Sequence, residues 1–388
     1  MLFIAKLLII ILSTKLAGDL SVRLGQPSVV GKLIVGILIG PALLGWIDNS
    51  NLIETLAEIG VLLLMFIAGL ETDIKELNRT RNSSLAVGAG GIILPLFGGY
   101  FAGLAFGLDA QQSLFIGLLL SATSVSITVQ TLRDLGRLGT RESTTILGAA
   151  VVDDVLVVIL LAFMISFADP AAPAVTMVIL KKVLFFGAIG LLGWKVVPWV
   201  MKKLVPLRVS ESLISAAIII CFFFAWLAEV TGVAGIIGAF AAGVALSTTK
   251  YKHDVEHKVE PIAYAIFVPV FFVSIGLNVS FEGIADQIWL IVVMTVIAVF
   301  TKLVGSGVGA RLTGFDKQGS LGIGAGMVSR GEVALIIATT GLSAGLLDQQ
   351  YFTSMVLVII LTTLIAPVLL KRIFGDNPQA KKEEAASS

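Results

Sequence analysis

Residues 148–163 read GAAVVDDVLVVILLAF, an apolar run with Asp153 and Asp154 side by side at its middle. Ionised carboxylates at the centre of a membrane helix cost roughly 2.5–3.5 kcal/mol each on the insertion scale, so they face protein or a water-filled cavity and mark function. The rest of the chain has the composition of such a helix. Of 388 residues, 57% are hydrophobic and 14% charged, and the mean hydropathy is +1.00. A soluble domain carries about 25% charged residues, and this chain has too little polar surface to cover soluble domains of its length. A net charge of +1 gives no reason to expect a nucleic-acid partner. The single Cys221 excludes a disulfide framework or a thiolate metal cluster. The fold class is an all-α polytopic membrane protein.

Hydrophobic runs between charged breaks predict thirteen spans. They lie near 2–22, 28–46, 53–70, 84–107, 112–131, 143–167, 173–201, 210–230, 232–248, 261–280, 286–310, 319–344 and 350–373. The first lacks a basic leader and a small-residue cleavage site, so it reads as a retained helix. Charge placement tests this count. The odd-numbered connections and the C-terminal tail hold nineteen basic residues, among them Arg79, Arg133, Lys202, Lys252, Arg311 and Lys371. The even-numbered ones hold Asp48, Asp109, Asp169, Glu282 and Asp348 but no Lys or Arg. Basic residues gather on the cytoplasmic side, which places the N-terminus outside and the C-terminus inside.

An offset of 207 residues aligns Gly31 with Gly238, Gly36 with Gly243, Gly69 with Gly276 and Gly117 with Gly324. It carries spans 1–6 onto spans 8–13 and leaves span 7 as a linker. An odd shift of seven inverts the second copy, giving a 6+1+6 inverted repeat of the kind transporters use. The copies differ in charge: Asp153 and Asp154 map onto Ile360 and Leu361, and Lys302 maps onto Pro95. A symmetric scaffold with asymmetric charges suits one central site.

Lys302 lies within VIAVFTKLVGSG (296–307), again in apolar surroundings. Lys181, Lys182 and Lys195, in or beside span 7, are expected to snorkel to the interface. Consecutive helical residues point about 100° apart, so one aspartate can face Lys302 while the other faces a cavity. Burial and mutual repulsion disfavour a second carboxylate charge, and one lysine pairs closely with only one carboxylate. A proton or monovalent cation completes the balance, which is the chemistry of antiport. A structural salt bridge is the plainer alternative.

Span 5 contains Ser121-Ala122-Thr123-Ser124-Val125-Ser126, and span 12 contains GIGAGMVS at 322–329. Such runs invite two discontinuous, crossing helices whose exposed ends supply carbonyls for cations; close small-residue packing is the other reading. Arg330 and Glu332 follow the second run, where they can compensate half-helix dipoles. Asp153, Asp154 and Glu332 against Lys302 and Arg330 leave one negative charge for a cation or proton to neutralise.

These residues resemble the NapA/GerN-type branch of the bacterial monovalent cation/proton antiporters along nearly the whole chain. The resemblance is carried by GQPSVVGKLIVGILIGPALLG (25–45), FIAGLETD (66–73), ATSVSITVQTLRDLG (122–136), GAAVVDDV (148–155) and GMVSRGEVALI (326–336). The Asp-Asp pair with the S-R-G-E segment is the specific part. The resemblance implies Na+ at Asp154, a pair between Asp153 and Lys302, and Thr123 and Ser124 completing the ion's oxygen shell. It implies a homodimer in which a core moves against a dimerisation panel. The panel would be helices in 1–70 and 210–280, the core those in 84–167 and 286–373, with 173–201 linking them and 374–388 a disordered cytoplasmic tail. It also implies no cofactor beyond the transported ions. Relatives with Asn-Asp exchange electroneutrally, so Asp153 points to electrogenic exchange.

The sequence thus reads as a bacterial cytoplasmic-membrane antiporter exchanging Na+, with Li+ or K+ as alternatives, for protons by alternating access. A K+/H+ exchanger, a K+ efflux system and a cation channel stay open as other readings. His253 and His257 have metal-ligand spacing but lie in a charged loop. An intramembrane aspartyl protease needs two carboxylates flanking one bond, and adjacent aspartates diverge, so no enzyme is expected.

Overall fold

The computed structural model describes residues 3–168, 175–279 and 284–375, and every regular element among them is helical. The chain begins with α1 (Phe3–Arg23), α2 (Ser28–Ile39), α3 (Asn51–Glu71), α4 (Ile74–Arg79), α5 (Arg81–Ala105), α6 (Ala110–Ser121) and α7 (Val125–Asp134). It continues with α8 (Arg141–Ala168), α9 (Val175–Leu191), α10 (Val197–Leu204), α11 (Ser212–Val230), α12 (Gly235–Ser247), α13 (Lys252–Ile262) and α14 (Val268–Leu277). The last four are α15 (Ile284–Leu312), α16 (Lys317–Gly326), α17 (Glu332–Ser343) and α18 (Gln349–Phe374). Among the described residues nine helical spans are long and apolar enough to cross a membrane, and three shorter apolar helices accompany them. This is a multi-pass membrane protein. Asp169, Glu282, the side chain of Glu332 and the tail beyond 375 lie outside the described residues.

Local chemistry explains the joins. Single π-helical turns, Leu192–Val196 and Ala263–Phe267, connect α9 to α10 and α13 to α14. Each precedes a proline, Pro198 or Pro269, whose missing N–H and bulky ring a regular ladder does not accommodate. The stretch expected as a loop before span 4 contains α4, started by the Asp73 carboxylate accepting from Lys75 N at 2.7 Å.

Two groups of helices result. In one, α3 packs on α12 and α14, α2 on α1 and α14, and α11 on α12. In the other, α5 packs along α15, α6 and α8, and α18 lies on α15 and α16. Small residues set these contacts, as expected where lipid removes any hydrophobic drive between helices. The glycines paired by the 207-residue offset make matching contacts: Gly31 meets α1 as Gly238 meets α11, Gly69 meets α12 as Gly276 meets α2, and Gly117 meets α5 as Gly324 meets α15.

Two rods are interrupted. Between α6 and α7 the backbone is extended, with Ala122 at φ −62°, ψ 138° and Ser124 at φ −97°, ψ 108°. Between α16 and α17 the helix is broken after Met327, and Gly331 stands extended at φ −155°, ψ −133°. Hydroxyl side chains compete for the helical ladder at the first break, and glycines weaken the helix at the second. Gly331 allows the breaks to meet, since a Cβ there would lie 2.6 Å from Ser124 Oγ.

Candidate functional site

The breaks cross and are stitched together. Ser124 N donates to Ser329 O at 2.8 Å, and Ser329 Oγ donates back to Ser124 O at 2.6 Å. Thr128 Oγ1 donates to Gly326 O at 2.6 Å, and Thr363 Oγ1 donates to Arg330 O. Four half-helix ends converge near this crossing, buried from lipid and water, where each unsatisfied backbone group is costly.

Two buried cations resolve the α6 end. Arg330, fully buried, donates from Nε to Leu120 O at 3.0 Å and from Nη1 to Val328 O at 2.8 Å. Its Nη2 donates to Leu120 O and, at 3.1 Å, to Ala298 O. The guanidinium therefore sits at the C-terminal, partly negative end of α6, where a cation is favoured. Lys302, from α15, is also fully buried. Its Nζ donates to Asp153 Oδ1 at 2.9 Å, to Gly91 O at 2.8 Å and to Ser121 O. Those three acceptors match an ammonium's three donors. Gly91 makes room: a Cβ there would stand 3.3 Å from Lys302 Nζ.

The two aspartates part company, as the 100° step between helical neighbours requires. Asp153 turns to Lys302. Asp154, 5% exposed, borders a cavity of about 10 Å³ lined by Met65, Val125, Ile236, Ile237 and Phe240. That space holds roughly one water-sized body. Val151, Ile237 and Phe240 also line a cavity of about 820 Å³, largely apolar, with Arg81 and Ser84 in its lining. Thr123 is buried beside Asp153. Among the described residues, Thr123 Oγ1 and Asp153 Oδ2 have no well-formed hydrogen bond. The geometry thus offers one neutralised carboxylate, one carboxylate at a small cavity, and hydroxyl and carbonyl oxygens nearby. Hard monovalent cations and protons suit that set.

Of the residues singled out from sequence, Asp153, Asp154, Thr123, Ser124, Lys302 and Arg330 meet around the crossing, and the side chain of Glu332 lies outside the described residues. Sequence reasoning misplaced one residue and missed a cluster. Lys182, expected to snorkel, is 3% exposed and donates to Gly232 O at 2.8 Å, whereas Lys181 and Lys195 are exposed. The cluster lies at the far end of α7. Arg133 pairs with Glu71 at 2.8 Å and with Glu260, and its guanidinium lies 4.8 Å from the centre of the Tyr264 ring. Asp134 accepts from Ser28 N at 2.8 Å, Ser28 Oγ at 2.7 Å and Gln130 Nε2 at 2.8 Å. These pairs tie α7 to α2, α3 and α13. The sequence signal was the charge pair closing an amphipathic segment.

Buried charges around two crossed, broken helices define a secondary transporter of small ions. The chain belongs to the sodium/hydrogen exchanger family: the family model "Sodium/hydrogen exchanger, transmembrane" matches residues 8–375. It is a transporter, not an enzyme. It is 67% identical over 380 residues to the "Na(+)/H(+)-K(+) antiporter GerN" of Bacillus cereus, covering 98% of each chain. It is 68% identical over 374 residues to the "Probable Na(+)/H(+) antiporter GerT" of the same species, covering 96% of this chain and 100% of that one. An Enterococcus hirae Na(+)/H(+) antiporter is 41% identical, with 95% and 97% covered. Its fold is similar to that of the sodium proton antiporter MjNhaP1 from Methanocaldococcus jannaschii at pH 8, with a TM-score of 0.70 at 15% identity, covering 96% and 99%.

Proposed function

We propose that the chain exchanges cytoplasmic Na+ for external protons across a bacterial cytoplasmic membrane, with Asp154 as the carboxylate that takes ion and proton in turn. The observation that carries this reading is the division of the adjacent aspartates: Asp153 is held by Lys302, and Asp154 borders a cavity. One carboxylate that holds either a cation or a proton, never both, couples the two fluxes. Thr123, Ser124 and carbonyls at the breaks complete the ion's oxygen shell. Arg330 and Lys302 keep the α6 end neutral whether the site is loaded or empty. The Asp153–Lys302 pair releases a further proton as the ion binds, so that two protons move against each Na+ and the cycle is electrogenic.

Alternating access would move the helices of 84–167 and 286–373, as a core, against a panel formed by those of 1–70 and 210–280. The panel would pair two copies as a homodimer, with thirteen spans, the N-terminus outside and the C-terminus in the cytoplasm. The pairs from Arg133 and Asp134 to α2, α3 and α13 would then break and reform in each cycle. The name of the Bacillus cereus relative supports K+ as a second transported cation.

The test is proton movement in energised everted vesicles, with NaCl, LiCl, KCl and choline chloride added in turn. Dequenching of a ΔpH dye by NaCl, absent in Asp154→Asn, is the expected result. A KCl response of equal size would assign the broader exchange. Silence for every cation from folded protein would overturn the reading.

A further inference from the structure

The cavity of about 820 Å³ next to the site takes no part in the exchange chemistry, and its shape argues for an occupant. Ile237, Phe240, Ala241, Val244, Ala245 and Thr248 of α12 line it. Their spacing of three and four keeps them on one helix face, and the steps from Ile237 to Thr248 span about 16 Å. That is half of the roughly 30 Å of bilayer hydrocarbon, the depth of one leaflet. The other walls come from α4, α5, α8, α9 and α10.

The two ends of this groove differ. At the Ile237 end, Val151, Ile237 and Phe240 also border the cavity at Asp154. At the Thr248 end, Ser247 Oγ donates to Thr72 O at 3.4 Å, which brings the end of α12 to the connection before α4 and α5. Arg81, the one charged residue among those lining the groove, begins α5 there, exposed and without an ion pair among the described residues. Gly193, where a Cβ would stand 3.1 Å from Ala245 Cβ, brings Trp194 and Lys195 to the same end. Both are exposed, and the Lys195 ammonium lies 5.3 Å from the centre of the Trp194 ring. Aromatic and basic residues of this kind anchor a membrane protein at headgroup level.

The protein leaves the groove unfilled: Gly190 of α9 lines it, and a Cβ there would meet no atom within 4 Å. Close-packed interiors hold few voids larger than a water molecule, and apolar voids stay dry. In a membrane the solvent able to fill such a space is an acyl chain.

We propose that the groove seats an anionic phospholipid, one acyl chain lying along α12 and the headgroup phosphate meeting Arg81. Basic pockets between membrane helices recognise such headgroups. The acyl chain touches α12, of the first group of helices, together with α5 and α8, of the second. It also covers the outer side of Val151, Ile237 and Phe240, and so helps to seal the cavity at Asp154. The proposal does not depend on which aspartate carries the ion.

The experiment is native mass spectrometry of the purified protein after incubation with equal amounts of dioleoyl phosphatidylglycerol and dioleoyl phosphatidylcholine. Wild type should retain phosphatidylglycerol over phosphatidylcholine by about fivefold, as expected for one basic residue at a membrane surface. Arg81→Gln should keep bound lipid and lose the preference. Gly190→Phe, whose ring occupies the groove, should hold about one lipid fewer per protein chain. Its melting temperature should also rise less than that of wild type when phosphatidylglycerol is added. If Gly190→Phe does not accumulate, Gly190→Leu gives the same readings with a smaller side chain. Equal lipid retention by wild type and the filled variant, or a wild type that holds only detergent, overturns the proposal. Equal retention of the two lipids by wild type overturns the anionic headgroup.

Discussion

The two broken helices are closed by different chemistry. At the first break, the carbonyls of Leu120 and Ser121 at the end of α6 receive two cations from elsewhere in the chain, Arg330 and Lys302. At the second, the end of α16 is closed by its own turn, Met327 N donating to Ile323 O and Gly324 O and Val328 N to Ala325 O, with Thr128 added from α7. The α6 end is locked by charge and the α16 end by neutral hydrogen bonds, with Arg330 Nη1 reaching only Val328 O in the break beyond it. The cation-locked end lies beside the aspartates, so the groups that hold the break open also set the charge balance of the site. The charged centre thereby sits at the α6 end of the crossing.

The largest effect should come from Arg330→Leu. It orphans the carbonyls of Leu120 and Val328, each worth roughly 1–3 kcal/mol when buried without a partner, and removes a second bond to Ala298 O, which keeps its helical partner. That sum reaches into the range of a typical domain's total stability of about 5–15 kcal/mol. No folded protein is expected by size-exclusion of detergent extracts, and normal folding would show that charge does not lock the first break. Next comes Lys302→Ala, which strands Asp153 and should cost about 3–5 kcal/mol. Adding Asp153→Ala should recover much of that loss in a double-mutant melting cycle; additive losses would deny the pair.

How much of this was legible in the sequence depends on which property is asked for. Charge at membrane depth was visible in the strings around Asp153, Asp154 and Lys302, because hydrocarbon makes any such residue conspicuous. The breaks were visible in their Ser/Thr and Gly runs. Which face of a helix meets protein was not, because both faces of these spans are apolar. Lys181 and Lys182 are adjacent and identical, and only packing shows that the second turns inward. Arg133, Glu71 and Glu260 come from three separate connections, and tertiary structure alone brings them together.

Smaller effects sharpen the contrast between the breaks. Thr128→Val removes the bonds to Gly326 O and Ser329 Oγ and should cost only about 0.5–2 kcal/mol by melting, the range for interhelical hydrogen bonds in membranes. A loss as large as that of Lys302→Ala would mean that neutral bonds matter as much as charge. Thr123→Val should change stability least and raise the KM for Na+ about threefold or more, as expected on losing one oxygen ligand or a buried hydroxyl contact. An unchanged KM would remove Thr123 from the ion's shell.

The central claim is that the adjacent aspartates divide their labour. It is tested most directly by radioactive Na+ uptake into proteoliposomes under an outward proton gradient, comparing Asp153→Asn with Asp154→Asn, each shown folded by its melting curve. The account predicts no gradient-driven uptake by Asp154→Asn and continued uptake, with altered charge movement, by Asp153→Asn. Full uptake by Asp154→Asn would contradict it.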